Sequence, residues 1–260
     1  MSAALELEGV FVALSGRTVV ADVTTRLEAR SLVALVGPNG AGKTSLMRAI
    51  VGLVPHRGAI RLDAAPIGTL SHAERARRIG YLPQGHAAHW PLPARDIVAL
   101  GRFPHGARDP SRLEPEDVAA VERAMAATDA AEFADRPITE LSGGERARIA
   151  LARVLALEAP IILADEPTAS LDPRHQIEVM ATLRDAARGG ALVIAVTHDM
   201  TLAARFADRV LVLQGGRLAA DGAPDAALAP EILADVFAIE AFRAERDGSA
   251  ILVPWRGLQP

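Results

Sequence analysis

The stretch that decides the fold is Leu32–Leu46, LVALVGPNGAGKTSL. Leu32-Val33-Ala34-Leu35-Val36 is a short apolar run that reads as a buried strand. Gly37 opens a tight loop and Lys43 opens a helix. The spacing is Gly37, four residues, then Gly42, Lys43 and Thr44, which is a phosphate-binding loop between its strand and its helix. Glycines let backbone N–H groups turn inward around an anion with no Cβ in the way. The helix N-terminus adds the positive end of its dipole. Lys43 brings a mobile charge to the β- and γ-phosphates, and Thr44 offers a hydroxyl to Mg²⁺. Pro38, Asn39, Gly40, Ala41 and Ser45 complete the cradle.

Lys43 is the only lysine in the chain and Asn39 the only asparagine. A compositional bias has removed both residue types elsewhere and kept them here. The compact ammonium suits a crowded loop in which a planar guanidinium would not fit.

The chain has 260 residues, half of them hydrophobic, enough for one large domain with a lobed subdomain. A net charge of −4 announces no nucleic-acid surface. Arg75-Ala76-Arg77-Arg78 is the densest basic cluster and reads as a solvated helix face. The absence of cysteine excludes disulfides, thiolate catalysis and zinc–thiolate sites. The apolar runs Leu32–Val36, Ile161–Ala164 and Ala191–Val196 are too short to span a bilayer. Glu6 and Glu8 in the first apolar stretch argue against a signal peptide. The chain is expected to be soluble, with any membrane role supplied by a partner.

Around the decisive stretch, residues 4–30 alternate as antiparallel strands about the turn Ser15-Gly16-Arg17. Residues 58–63 read as another strand, Ser71 and Glu74 as a capping box, and Ile79–Leu82 as a strand ending at Pro83-Gln84. Residues 85–110 are rich in Pro, Gly and His and read as a surface segment around one short helix, Ala94–Leu100. A helix is expected over Ser111–Thr128, with Val118, Val121 and Met125 on one face, and another over Leu141–Ala156. Further strands follow at Ile161–Ala164, Ala191–Val196 and Val210–Leu213, and Asp172 caps a helix with Pro173 at its first position. The tail holds an apolar-faced helix and a hairpin across Asp247-Gly248. Strand–helix alternation after residue 30 argues a mostly parallel, doubly covered sheet. Ligands of such sheets sit at the carboxyl ends of the strands, where Gly37, Gln84, Asp165 and His198 all fall.

Ile161-Ile162-Leu163-Ala164-Asp165-Glu166 is an apolar strand ending in two carboxylates. Charges beside a buried strand need partners. Mg²⁺ and its waters would be that partner, with Asp165 holding the ion and Glu166 orienting or deprotonating the attacking water. Leu141-Ser142-Gly143-Gly144-Glu145 can be read as a plain capping box. Two consecutive glycines weaken a first helical turn, however, and make sense where something must approach that N-terminus closely.

These motifs together resemble the nucleotide-binding subunit of ABC transporters along essentially the whole chain. The resemblance implies an α/β P-loop NTPase (RecA-like) core of mostly parallel sheet, with an N-terminal antiparallel β subdomain and an inserted α-helical subdomain. It assigns residues 1–30 and about 53–68 to the β subdomain, 31–52, 69–84 and 157–222 to the core, 85–156 to the helical subdomain and 223–260 to a tail. It implies ATP and Mg²⁺ as cofactors and a head-to-tail dimer. Ser142, Gly143, Gly144 and Glu145 would then close over ATP held by the partner copy. Gln84 looks like the glutamine that contacts Mg²⁺ and the attacking water, so Thr44, Gln84 and Asp165 form the expected metal set. Ser170-Leu171-Asp172 looks like the loop that crosses the dimer interface, and His198 like the histidine on the γ-phosphate. Catalysis would fall to Glu166, His198, Gln84 and Lys43. The family stacks adenine on an aromatic residue before the first hairpin turn; here that position is Leu14, which packs without stacking, and Phe11 is the nearest aromatic.

The chain is expected to dock on separate permease subunits at the cytoplasmic face of the membrane, served indirectly by a substrate-binding protein and without nucleic acid. Val98–His105 and the ending Val253-Pro254-Trp255 are similar to importers of iron–siderophore, haem and cobalamin. A soluble ABC ATPase acting on nucleic acid or ribosomes, an importer of another class and a catalytically dead regulatory subunit are the alternatives. An N-K-x-D guanine reader is impossible, since the only asparagine lies in the phosphate loop. His86 and His89 have metal-pair spacing but no evident third ligand; His56, His72, His105 and His175 read as surface residues.

Overall fold

The antiparallel start forms as its alternation predicts. β1 (Ala4–Leu14) and β2 (Arg17–Glu28) pair across Ser15-Gly16, both at positive φ. In β2, Val20, Val23 and Leu27 are buried while Thr24, Arg26 and Glu28 are exposed, the period of two that a one-sided sheet requires. β4 (Arg57–Leu62) and the short β5 (Ala65–Pro66) extend this sheet in the order β2-β1-β4-β5. The computed structural model describes residues 4–85, 91–169 and 171–258; His86, His89 and Ser170 lie outside them.

The second sheet contains β3 (Ser31–Val36), β6 (Ile79–Leu82), β7 (Ile161–Asp165), β8 (Leu192–Val196), β9 (Arg209–Gln214) and β10 (Arg217–Gly222). Its order is β10-β9-β3-β8-β7-β6, parallel throughout except for β10. β7 and β8 are buried at every residue, as a sheet covered on both faces demands. One face packs against α1 (Lys43–Val51) through Leu46, Met47 and Ile50, and on to the N-terminal sheet. The other face packs against α5 (Gly143–Ala156) and α6 (Pro173–Arg188). In α6 the buried residues are Val179, Met180, Leu183 and Ala187, one stripe at helical spacing. Asp172 caps α6 by accepting from the backbone N–H groups of Arg174 and His175.

α2 (His72–Arg78) has the capping box at Ser71 and no buried residue, so Arg75, Arg77 and Arg78 form the solvated face expected. α3 (Ala94–Ala99), α4 (Pro115–Ala127) and α5 share a separate apolar core built on Ala94, Val98, Val121, Met125, Phe133 and Ile149. Three expectations need correction here. α4 begins at Pro115 rather than at Ser111, since Pro is favoured at the first helical position and Asp109 caps Ser111 in a separate turn. The apolar face of α4 is Ala120, Val121, Ala124 and Met125, and Val118 is exposed. Nor is the expected surface segment 85–110 all surface: Ala94, Val98, Ala99 and Arg102 are buried, while Phe103 and His105 are exposed.

α7 (Met200–Phe206) follows β8, and α8 (Pro224–Ala227) and α9 (Pro230–Phe237) follow β10. The tail ends in the hairpin of β11 (Ile239–Arg246) and β12 (Ser249–Gly257). Among the described residues no helix is long and apolar enough to cross a membrane.

Candidate nucleotide site

The parallel order brings the carboxyl ends of β3, β6, β7 and β8 to one edge. Residues 37–42 leave β3 there and turn into α1. Two glycines of this loop are required by the chain itself. Gly37 has φ +152°, and a Cβ on it would lie 2.1 Å from the Leu213 carbonyl oxygen. Gly42 has φ +101°, and its Cβ would lie 2.2 Å from the Val19 oxygen. The loop is further tied down by the turn after β9, where Gly216 N donates to Ala41 O at 3.1 Å. The cleft at the loop has a volume of ≈ 250 Å³ and is lined by Val19, Asn39–Ser45, Glu166 and His198.

Lys43 is buried and its Nζ donates to Gly37 O at 2.7 Å and to Pro38 O at 3.0 Å. Burial pulls the ammonium below the usual lysine range, and the carboxylates of Glu166 and Asp165 push it back up. Asp165, at the end of β7, is 0% exposed. Its Oδ1 accepts from Thr44 Oγ1 at 3.2 Å and its Oδ2 from Tyr81 OH at a long 3.4 Å. Burial raises its carboxyl above the ordinary range, and the Thr44 bond only partly offsets this. A buried carboxylate held by two weak neutral donors, next to a threonine hydroxyl, is a set of hard oxygen donors that fits Mg²⁺.

Glu166 follows with φ +53°, a left-handed conformation that a glutamate adopts only when its surroundings hold it. Its backbone N donates to Val196 O at 3.2 Å. Gln84 Nε2 donates to its Oε2 at 2.7 Å, and His198 Nε2 lies 2.9 Å from its Oε1, donating when that nitrogen carries the proton. Gln84, Glu166 and His198 come from three different strand ends and meet at the mouth of the loop. Thus Lys43, Thr44, Asp165, Glu166, Gln84 and His198 are gathered in one place.

Six expected site residues, Leu14, Ser142, Gly143, Gly144, Glu145 and Asp172, do not line the cleft. Leu14 ends β1 half-buried and packs into the apolar core; Val19 is the residue of that hairpin that lines the cleft. Phe11 faces a separate groove with His56 and Arg57. Ser142–Glu145 do not line the cleft. There Ser142 N donates to Glu145 Oε2 at 2.6 Å and Glu145 N donates to Ser142 Oγ at 3.3 Å, so the capping box is real. A Cβ on Gly143 would have no neighbour within 4 Å, and one on Gly144 only Leu171 Cδ2 at 3.8 Å. Asp172 is also outside the cleft, its Oδ2 bonded to His175 Nδ1 at 2.5 Å. Tyr81 and Val19 were not singled out as site residues from sequence. A tyrosine one residue from the end of a buried strand is the only signal for the first, and nothing local marks the second.

A phosphate loop, an acidic strand end, and a glutamine and a histidine on one carboxylate define an NTPase whose ligand sits at the sheet edge. The ABC transporter family profile matches residues 20–169, and the chain belongs to that family as an ATP-binding, ATP-hydrolysing subunit. It is 45% identical over 251 residues to the hemin import ATP-binding protein HmuV of Streptomyces coelicolor, covering 95% of this chain and 89% of that protein. It is 42% identical over 235 residues to the cobalamin import ATP-binding protein BtuD of Halobacterium salinarum, covering 90% of this chain and 58% of that one. A solved ABC transporter described as metal-chelate type, in an inward-facing conformation, superimposes with TM-score 0.82 at 26% identity, over 98% of both chains.

Proposed function

We propose that two copies of this chain bind two ATP at a shared head-to-tail interface and drive import of a metal chelate of the hemin or cobalamin class through separate permease subunits. The carrying observation is the division of the site. Gln84, Glu166 and His198 meet over the phosphate loop, while Ser142–Gly144 lie off the cleft with open space beside Gly143. Among the described residues nothing requires glycine at 143, which leaves room there for the close approach of another molecule. The names of the relatives support the cargo class.

The roles follow from the geometry. Backbone N–H groups of residues 39–45 and Lys43 hold the phosphates. Thr44, Asp165 and Gln84 would hold Mg²⁺, which would supply neutralisation of phosphate charge. Glu166, fixed by Gln84 and His198, orients water and accepts its proton. Asp172, exposed beside the buried Leu171, faces the partner copy. The permease docks beside Gln84 and residues 100–105, which keeps the chain at the cytoplasmic face of the membrane, and a substrate-binding protein delivers the cargo outside. No step uses nucleic acid.

Mixing two inactive variants tests the divided site. Lys43→Ala damages the phosphate loop and Gly143→Asp the signature. In a head-to-tail pair, one of the two sites in the mixed dimer escapes both changes, so mixing restores part of the turnover. No restoration would refute the shared site. Loss of growth on hemin or cobalamin as sole source in a strain lacking the chain tests the cargo, and undiminished growth on both would overturn it.

A further inference from the structure

α5 carries Ser142–Glu145 at its N-terminus and a second fixed point at the other end. The 3-10 turn Leu100–His105 after α3 is fastened to that C-terminal end. Arg102 is 3% exposed, an unusual place for a guanidinium. Its Nη1 donates to Ala156 O at 2.8 Å and to Glu158 Oε2 at 3.1 Å, and its Nε donates to Asp117 Oδ1 at 2.7 Å. His105 Nε2 lies 2.9 Å from Leu157 O. Gly101 lets the two backbones touch, since a Cβ there would lie 2.2 Å from Arg153 O.

The last carbonyls of a helix have no partner within it, and that end carries the negative pole of the dipole. Arg102 and His105 occupy this end, and Asp117 brings in the first turn of α4. None of these groups touches the nucleotide cleft or the apolar contact of α5 with the sheet. The arrangement is therefore a weld between a turn and a helix end, about 21 Å along α5 from the signature.

We propose that Arg102 is a positioning residue for the signature. It joins the turn 100–105 to the C-terminal end of α5, so that this turn and Ser142–Gly144 move as the two ends of one rigid piece. The inference rests on the proposed function in taking Ser142–Gly144 as the part presented to a second copy and the turn 100–105 as lying on the side facing the permease. A push on the turn is then delivered at the signature without loss in between.

The chain has no cysteine, so introduced pairs are the only label sites. Spin labels on Phe103→Cys and Thr139→Cys, both exposed, report the distance across the piece. Labels on Glu28→Cys and Glu231→Cys serve as a reference outside it. Pulsed electron paramagnetic resonance on the full chain should give one narrow distance for the first pair. Arg102→Met should widen it about twofold and leave the reference pair unchanged. ATP affinity should stay within about twofold while turnover falls about tenfold, because the signature is misplaced and the phosphate loop is not. If Arg102→Met does not fold, Asp117→Asn tests the same weld with the same readout. An unchanged width, equal widening of both pairs, or a parallel fall of affinity and turnover would overturn the proposal. The distance measurement needs neither ATP nor a dimer, so it can fail or succeed independently of the shared site.

Discussion

Replacing Gly42 by alanine tests the phosphate loop where its geometry is tightest. Gly42 has φ 101° and ψ 5° as the N-cap of α1, a conformation that costs an L-residue roughly 1–3 kcal/mol. The new Cβ would also lie 2.2 Å from Val19 O, about 0.8 Å inside the 3.0 Å that real Cβ contacts respect. Val19 cannot yield easily. The next residue, Val20, is buried, and Ala21 N is bonded to Gly216 O at 2.8 Å. The start of α1 must move instead. The Thr44–Asp165 bond, already 3.2 Å, would break, and the Lys43 bonds would be strained. A displacement near 1 Å costs about 10²-fold in turnover. Gly40→Ala is the control: Gly40 has φ +78° with nothing within 4 Å of its Cβ, so only conformational strain, about 1–2 kcal/mol, applies. Melting temperature and steady-state phosphate release on both variants separate the effects. Gly42→Ala should lose about two orders of magnitude in turnover and Gly40→Ala about tenfold or less. Equal losses in the two variants would refute the steric reasoning.

Further outcomes follow from the same geometry. Asp165 holds its proton more tightly when folded than when unfolded, so protons stabilise the nucleotide-free chain. That stability falls as pH rises from the ordinary carboxylate range through the raised native value. Asp165→Asn should therefore raise the neutral-pH melting temperature, with the gain vanishing in acid; a pH-independent difference would exclude burial as the cause. Gly143→Ala should leave the melting temperature unchanged or raise it, since alanine favours a helix by roughly 0.5–1 kcal/mol over glycine and has open space here. Its ATP turnover should nevertheless fall, and full turnover would mean that nothing approaches Gly143. Ser142→Ala removes the cap and should cost about 1 kcal/mol in denaturant unfolding.

The cleft was legible because its residues are marked by strand ends. Gly37, Gln84, Asp165 and His198 each follow a short apolar run, and parallel strands place such ends together. The cap at Asp172 was legible because Pro173 fixes the first helical residue. At Ser142–Glu145 the sequence showed a conflict between a capping box and two glycines; the structure shows the capping box and leaves space beside both glycines. The buried Arg102 was not legible. Its partners, Asp117, Ala156 and Glu158, are far apart in sequence, and no periodicity announces a cation whose burial depends on three segments meeting. The Pro, Gly and His content of 85–110 suggested a surface, yet alanines 94 and 99 are small enough to let α3 pack closely in the helical core. Val118 was misplaced because i, i+3 spacing to Val121 does not fix the centre of the stripe, which falls on Ala120, Val121, Ala124 and Met125, about 90° round the helix from Val118. The position of Val19 depends on the approach of β2 to Gly42, a contact between segments that spacing does not encode.

The central claim is that Glu166, held by Gln84 and His198 at the mouth of the phosphate loop, takes the proton of the attacking water. Glu166→Gln keeps the shape and one accepting oxygen for Gln84 or His198, but cannot take a proton from water. Steady-state ATP hydrolysis, measured beside ATP affinity and ATP-dependent dimerisation, tests it directly. The account predicts that binding and dimerisation persist while hydrolysis falls by about 10²–10⁴-fold. Hydrolysis at the unsubstituted rate would contradict it.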